Sequence, residues 1–235
     1  VPTHFTSEAF QFLRGLARHN DREWFNERKH VYEAELKAPM LALVDEITAA
    51  MQPFAPDHMR PANKIMMRIY RDIRFSKNKQ PYKTHLSAWW ARRGAEKTSG
   101  SGFYLQISPA EIMVAAGVYM PQRDQLLRLR RWMSANHISY RALEKKLLKH
   151  KFAGFVAIDP QALSRMPKGF AADDPAAELL RAHNWGVRVS LPADLALTSS
   201  LSKEIMQRFK LATPLVDALH SGIAADEKPH RRPLF

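Results

Sequence analysis

Between Lys64 and Lys83 the chain carries Arg68, Arg71, Arg74, Lys77 and Lys79 as well as the two terminal lysines, against a single carboxylate, Asp72. Cations this dense repel one another. A fold must turn them to water, pair them with carboxylates from elsewhere, or supply an anion. The same run also has an apolar alternation. Ile65, Met67, Ile69, Ile73 and Phe75 are interleaved with Lys64, Met66, Arg68, Tyr70, Asp72 and Arg74. Period two predicts a strand, with Lys64, Arg68, Asp72 and Arg74 on the polar face, running into a basic loop closed by Pro81-Tyr82. Ile65, Ile69 and Ile73 also fit a spacing of four, so a helix is the competing reading. On the strand reading Arg71 falls on the apolar face, which calls for a bulge or a carboxylate from another part of the chain.

The rest of the chain can support such a segment. Of its 235 residues 46% are hydrophobic and 25% charged, the composition of a globular protein. No apolar run reaches the length of a membrane span. The N-terminal Val-Pro-Thr-His-Phe lacks the basic and apolar regions of a signal peptide, so a cytoplasmic location is expected. With no cysteine there are no disulfides, thiolate metal sites or cysteine nucleophiles. The net charge of +13 is concentrated. Residues 60–97 hold eleven Lys/Arg against Asp72 and Glu96, and residues 122–151 hold nine against Asp124 and Glu144. Two basic segments on a near-neutral body imply a directed field and an anionic partner, unless they only solvate the surface.

Periodicity and end signals predict an α+β fold: N-terminal helices, a small and mostly antiparallel sheet, and C-terminal helices. Thr6-Ser7-Glu8 reads as a capped helix start, with Phe10, Leu13 and Leu16 or Ala17 inward. Asn20-Asp-Arg-Glu23 reads as a capping box for a second helix bearing Trp24, Phe25, Arg28, Tyr32 and Leu36, where Pro39 kinks or breaks the pattern. Trp24 and Phe25 are expected in the core. A polar, mobile loop is expected from Arg92 to Gly102. Phe103–Ile107 and Ile112–Tyr119 predict a hairpin across Ser108–Glu111, within which Gly117 marks a bulge or a close backbone approach. Helices are expected at 123–136 and 139–150, from Asp174-Pro175 to 183, at 199–211 and at 214–221, with a short strand over 187–191. Residues 1–225 are expected to form one domain, and 226–235 a basic disordered tail.

The chemistry that can be excluded is broad. There is no P-loop, GxGxxG or GxSxG, and no HExxH; the ten histidines are scattered, so neither a metal nor a cofactor is expected. The candidate site is 68–83. Arg68, Arg71 and Arg74 present planar forks of donors that suit phosphate or carboxylate, and Lys77, Lys79 and Lys83 add point charges. Asp72 can orient a guanidinium or act as a base, and Tyr82 offers a hydroxyl. An alternative is a structural Arg–Asp network that pins the loop and binds nothing. The basic stretch 139–152, with Tyr140, Leu143, Leu147 and Leu148 as an apolar stripe, reads as a packed helix with a solvated face more readily than as a binding surface.

The pattern Arg68-x-x-Arg71-Asp72-x-Arg74-Phe75-x-x-Asn78-Lys79-x-x-Tyr82 resembles the signature of the domain of unknown function 2461. Phe10-x-Phe-Leu13, Asn20–Phe25, Gly102-Phe-Tyr104, Gly117-x-Tyr119, Pro167–Phe170 and Pro175–Leu180 extend that likeness over roughly residues 5–220. The resemblance implies a bacterial, cytoplasmic α+β protein of one domain and lends no activity or cofactor. Three readings of residues 68–83 therefore stand side by side. One is an anion-binding protein whose ligand is a nucleic-acid backbone or a phosphorylated small molecule. The second is an enzyme on a phosphorylated or carboxylated small molecule, with Asp72 as base or orienter and Tyr82 or Lys79 as proton donor. The third is a scaffold with no ligand.

Overall fold

The computed structural model describes residues 2–94 and 100–224. The expected tail at 226–235 lies outside the described residues, as does the middle of the expected loop at 92–102. The first half is helical: α1 (Ser7–Arg18), α2 (Arg22–Glu27), α3 (Lys29–Val31), α4 (Ala38–Ala50) and a short α5 (Ala62–Ile65). Thr6 caps α1 by accepting from the Ala9 amide at 3.4 Å, and Phe10, Leu13 and Leu16 face inward as the spacing predicts, while Ala17 is exposed. The second cap differs from expectation. Asp21, not Asn20, accepts from the Trp24 amide at 2.9 Å. Both residue types can cap, and Asn20 is drawn off by a partner 62 residues away, described below. Pro39 has no N–H for the carbonyl one turn back. The chain widens into a π turn over Tyr32–Lys37 before α4 resumes, in which the Ala38 amide reaches Glu33.

Five antiparallel strands follow: β1 (Leu86–Ala91), β2 (Ser101–Ile107), β3 (Glu111–Val118), β4 (Ala153–Gly154) and β5 (Trp185–Pro192), in the order β1-β2-β3-β5-β4. The β2–β3 hairpin turns at Ser108, whose hydroxyl accepts from the Glu111 amide at 3.1 Å. Alternation along each strand sends Ala88, Trp90, Phe103, Leu105, Val114, Ala116, Val187 and Val189 to one buried face. That face is covered by helices, chiefly α8 (Leu201–Ala224), whose Phe209 ring lies 5.2 Å from Trp90 and 4.9 Å from Phe103. α6 (Arg123–Leu148) packs beside α8, and α7 (Ala177–Arg181) packs against α6. Among the described residues no helix is long and apolar enough to cross a membrane.

Of two expected breaks one is present and one is not. α6 is two helical stretches meeting at a kink at Asn136 (φ −124°, ψ 16°), where the first helix is expected to end; the Asn136 side-chain amide donates to the Trp132 carbonyl at 2.9 Å and so competes with the backbone ladder. α8 runs through Pro214; the adjacent Thr213 hydroxyl bonds back to the Phe209 carbonyl. The helix expected from Asp174-Pro175 starts later, at Ala177. Asp174 accepts from the Ala176 amide at 2.8 Å, and its other oxygen takes the Ser134 hydroxyl at 2.6 Å, so it caps a turn and ties it to α6. The expected loop at 92–102 is structured at both ends. Arg92 pairs with Asp57 and Asp217, and Ser101 and Gly102 already belong to β2.

Gly117 and Gly186 face each other across β3 and β5, with φ of 143° and 150°. A methyl group on Gly117 would sit 2.3 Å from the Trp185 carbonyl oxygen, so this is a close backbone approach rather than a bulge. Gly117→Ala should destabilise the protein by about 2–4 kcal/mol, combining a strained φ with a displaced strand. Thermal or urea unfolding checks this, and an unchanged melting curve would show that the strands separate freely there.

Candidate functional site

The segment after α5 is neither a regular strand nor a helix. It lies antiparallel along the free edge of β1 and the residues before it. Met66 bridges Ala88, the Met67 amide donates to the Ser87 carbonyl, and Tyr70 bridges Tyr82. Further along, the Lys83 amide donates to Ile69 and the Arg71 amide to Pro81, each at 2.8 Å. Four steps separate Met66 from Tyr70 while six separate Tyr82 from Ala88. The surplus is a bulge at 84–86, between the Lys83 and Ser87 bonds and on the arm opposite the one where the period-two pattern called for it. Ile69 is buried as the alternation predicts; Ile65 is buried too, but as the last residue of α5 and not on a strand. Met67 is half-buried, and Phe75 is not on an apolar face: it is 94% exposed. The reason is local. Past Arg71 the pairing stops, and Asp72 accepts from the Arg74 amide at 3.3 Å, turning the chain away from the sheet.

The ribbon is anchored at its second arm. Tyr82 is 3% exposed, and its ring stacks on Phe25 of α2 with centroids 4.2 Å apart and planes 14° from parallel. Tyr70, at 5.3 Å from Tyr82, and Tyr32, at 5.3 Å from Phe25, extend the cluster. Each such pair contributes about 0.5–1.5 kcal/mol beyond burial. Asn20 then closes the joint. Its amide donates to the Tyr82 carbonyl at 3.1 Å and its oxygen accepts from the Tyr82 amide at 3.0 Å. A single side chain thus supplies both partners that a neighbouring strand would. Sequence reasoning missed this role because the partner is remote.

The seven residues around the loop do not converge on one point. Arg74 is locked to Asp72 by two parallel bonds, Nε to Oδ1 at 3.0 Å and an η nitrogen to Oδ2 at 2.8 Å, in a pair open to water. Hydrogen bonding from Arg74 holds the Asp72 carboxyl down at about 2, which leaves it a weak base at neutral pH. Arg71 spans the loop, donating to the Gln80 carbonyl at 3.1 Å and to the Ser76 hydroxyl at 3.5 Å; among the described residues it meets no carboxylate. Lys79 donates to the Ile73 carbonyl at 3.1 Å. Arg68, Lys77 and Lys83 make no side-chain hydrogen bond or ion pair among the described residues. Arg68 and Lys83 are near enough to repel. Burial first, and Arg68 second, lower the Lys83 ammonium. His85, which sequence reasoning passed over, completes this group. Burial and then Lys83 push its imidazole down to about 4, so it is neutral at physiological pH. Its signal was the period-two series Lys83, His85, Ser87, Trp89 at the entry to β1.

Tyr82 stands apart from Asp72. Burial, then Tyr70, raises its phenol, and the charged side chains acting on its hydroxyl are Arg22 and Asp21. The basic face therefore has two parts: a tip with Arg71, Asp72, Arg74, Lys77 and Lys79, and a base with Arg68, Lys83 and His85. Two clefts lie away from the ribbon, one between β5 and α8 and a second of about 120 Å³ between α6 and α7. Among the described residues no group of His, Asp and Glu is arranged to hold a metal. The second basic segment behaves as a packed helix: Tyr140 and Leu147 are buried, and Arg141 pairs with Glu178 at 3.5 Å.

A family model described as a conserved hypothetical protein, DUF2461, matches residues 8–217. No curated protein matches the chain.

Asn20→Ala should destabilise the fold by about 1 kcal/mol, the effect of leaving a part-buried donor and acceptor without their protein partner. The Tyr82 amide should then lose hydrogen-exchange protection ahead of β2 and β3; exchange that is uniform across the sheet would deny the clamp a local role. Asp72 should titrate near 2 by carboxyl NMR and return toward the usual carboxylate range in Arg74→Gln. The sign follows from a folded value below the unfolded one. The pair favours the folded state above about pH 4, and that effect is lost as pH falls toward 2.

Proposed function

We propose that this chain, which belongs to the DUF2461 family of conserved hypothetical proteins, is a polyanion-binding protein whose contact surface is the ribbon 66–85. The observation that carries this reading is the placement of Arg68, Lys77 and Lys83. They sit on the same ribbon as three further cations, and among the described residues no carboxylate is hydrogen-bonded to any of the three. Arg68 and Lys83 are held at repulsive distance, and such an arrangement is relieved by a bound phosphate. The ribbon is also an open edge rather than a closed cavity, which suits an extended chain of phosphates better than a small molecule surrounded on several sides.

Arg71, Arg74 and Lys79 have a second role within this reading. Their bonds to Gln80, Ser76, Asp72 and Ile73 set the shape of the loop, so the scaffold and the ligand surface share residues. Arg74 keeps its outer face free, because its pair with Asp72 is open to water. An enzymatic role draws less support. A carboxyl at about 2 that is engaged by Arg74 makes a poor base, and a buried tyrosine with a raised phenol makes a poor acid.

Binding to inorganic polyphosphate or to single-stranded DNA should weaken steeply with salt, with a log–log slope of about −0.7 per phosphate contacted. Lys77→Ala and Arg68→Ala should each reduce that slope by about 0.7 while leaving the melting temperature unchanged. Salt-independent binding, or none, would overturn the proposal. An independent reporter is His85. An anion beside Lys83 should lift its imidazole from about 4 toward the ordinary histidine value, read by NMR with and without polyphosphate. A His85 titration unmoved by saturating polyphosphate would place the anion elsewhere.

A further inference from the structure

Phe75 is the most exposed large hydrophobic side chain among the described residues, at 94%. Core packing does not require it, and the fold does not leave it free to tuck in. The loop that carries it is braced from four sides. Arg71 reaches Gln80 and Ser76, Lys79 reaches the Ile73 carbonyl, the Ser76 amide bonds to the same carbonyl at 3.3 Å, and the Gln80 amide bonds to Asn78 at 2.9 Å. Pro81 stiffens the exit. The guanidinium of Arg74 lies 5.8 Å from the ring centroid, and that arginine is itself fixed by Asp72. A phenyl ring is thus held out into water at the tip of a braced loop, with Arg74 beside it and Lys77 and Lys79 on the same loop.

We propose that Phe75 is a stacking wedge that takes the face of an unpaired nucleobase, while the cations around it take the flanking phosphates. The polyanion of this surface is then a single-stranded nucleic acid. This rests on the polyanion-binding reading and adds the base. The combination of a tracking set of cations and one presented aromatic is what single-strand binding uses. Every base has a π face, and the phosphates on either side of it need charge. A bilayer surface fits less well. Anchoring there needs a continuous apolar face, and the neighbours of Phe75 on the loop are Arg74, Ser76, Lys77 and Asn78. The bracing suits insertion: a ring already held out loses little conformational freedom on stacking.

The test uses the full chain, with fluorescence anisotropy on an oligothymidylate of about 20 nucleotides, longer than ordinary single-strand site sizes. Inorganic polyphosphate and anionic vesicles are titrated in parallel. Phe75→Ala should weaken oligothymidylate binding by about 5- to 150-fold, the range a lost base–aromatic stack gives. Its polyphosphate affinity and melting temperature should stay as in the wild type. Phe75→Trp should restore binding, with indole emission quenched by the oligonucleotide. A Phe75→Ala protein that binds oligothymidylate as tightly as wild type overturns the wedge. So does equal loss on oligonucleotide and polyphosphate, or a loss seen only on vesicles. Wild-type protein that binds neither polyanion overturns the polyanion reading itself, whereas normal polyphosphate binding with an indifferent Phe75→Ala overturns the wedge alone.

Discussion

The stack of Tyr82 on Phe25, with Asn20 closing both backbone groups of Tyr82, is the joint on which the basic ribbon depends. The ribbon has few other ties. Its first arm touches the sheet through a bridge at Met66 and a bond from Met67, and the rest of its pairing is internal, between 69–71 and 81–83. Without a fixed Tyr82 those internal bonds would have no fixed base. The joint lies between the N-terminal helices and the sheet. α1 and α2 are thereby part of the site's construction although they supply no cation to it.

The electrostatics follow from how the cations are engaged. Gathering this many positive groups on one ribbon opposes folding unless some are neutralised or bonded. Asp72 neutralises Arg74, and backbone carbonyls of Ile73 and Gln80 take Lys79 and Arg71. These bonds fold the tip. Arg68, Lys77 and Lys83 are left over, and His85 stays neutral beside them. The bulge at 84–86 that breaks the sheet register includes His85 and directly follows Lys83. The irregularity of this sheet edge and its charge thus fall on the same few residues. Local departures from ideal structure are where function is expected to sit.

Much of the fold was legible in the sequence, and the exceptions have physical causes. The Thr6 cap, the 103–119 hairpin and the close approach at Gly117 are governed by local chemistry, and the residues announce them. The break expected in α6 is present as the kink at Asn136, whereas α8 continues through Pro214 because packing of the long helix against the sheet outweighs the missing N–H. Asn20 carries an ordinary capping signal, but Asp21 next to it does the capping, and the true partner is Tyr82. The alternation places Ile69 correctly, but Lys64 and Ile65 at its start are helical and Phe75 at its end is exposed. The short-range capture of Arg74 by Asp72 ends the pairing there. For the site, the sequence located the basic ribbon and its excess of positive charge. It did not separate the cations engaged in the scaffold from those left over, because that division is made by carbonyls and by one carboxylate in three dimensions.

The most direct test of the central claim is amide chemical-shift mapping of the protein as inorganic polyphosphate is added. Perturbations concentrated in residues 68–85, with Arg68, Lys77, Lys83 and His85 leading, are the expected result. Perturbations centred on the other basic segment at 122–151, or none at saturating polyphosphate, would contradict it.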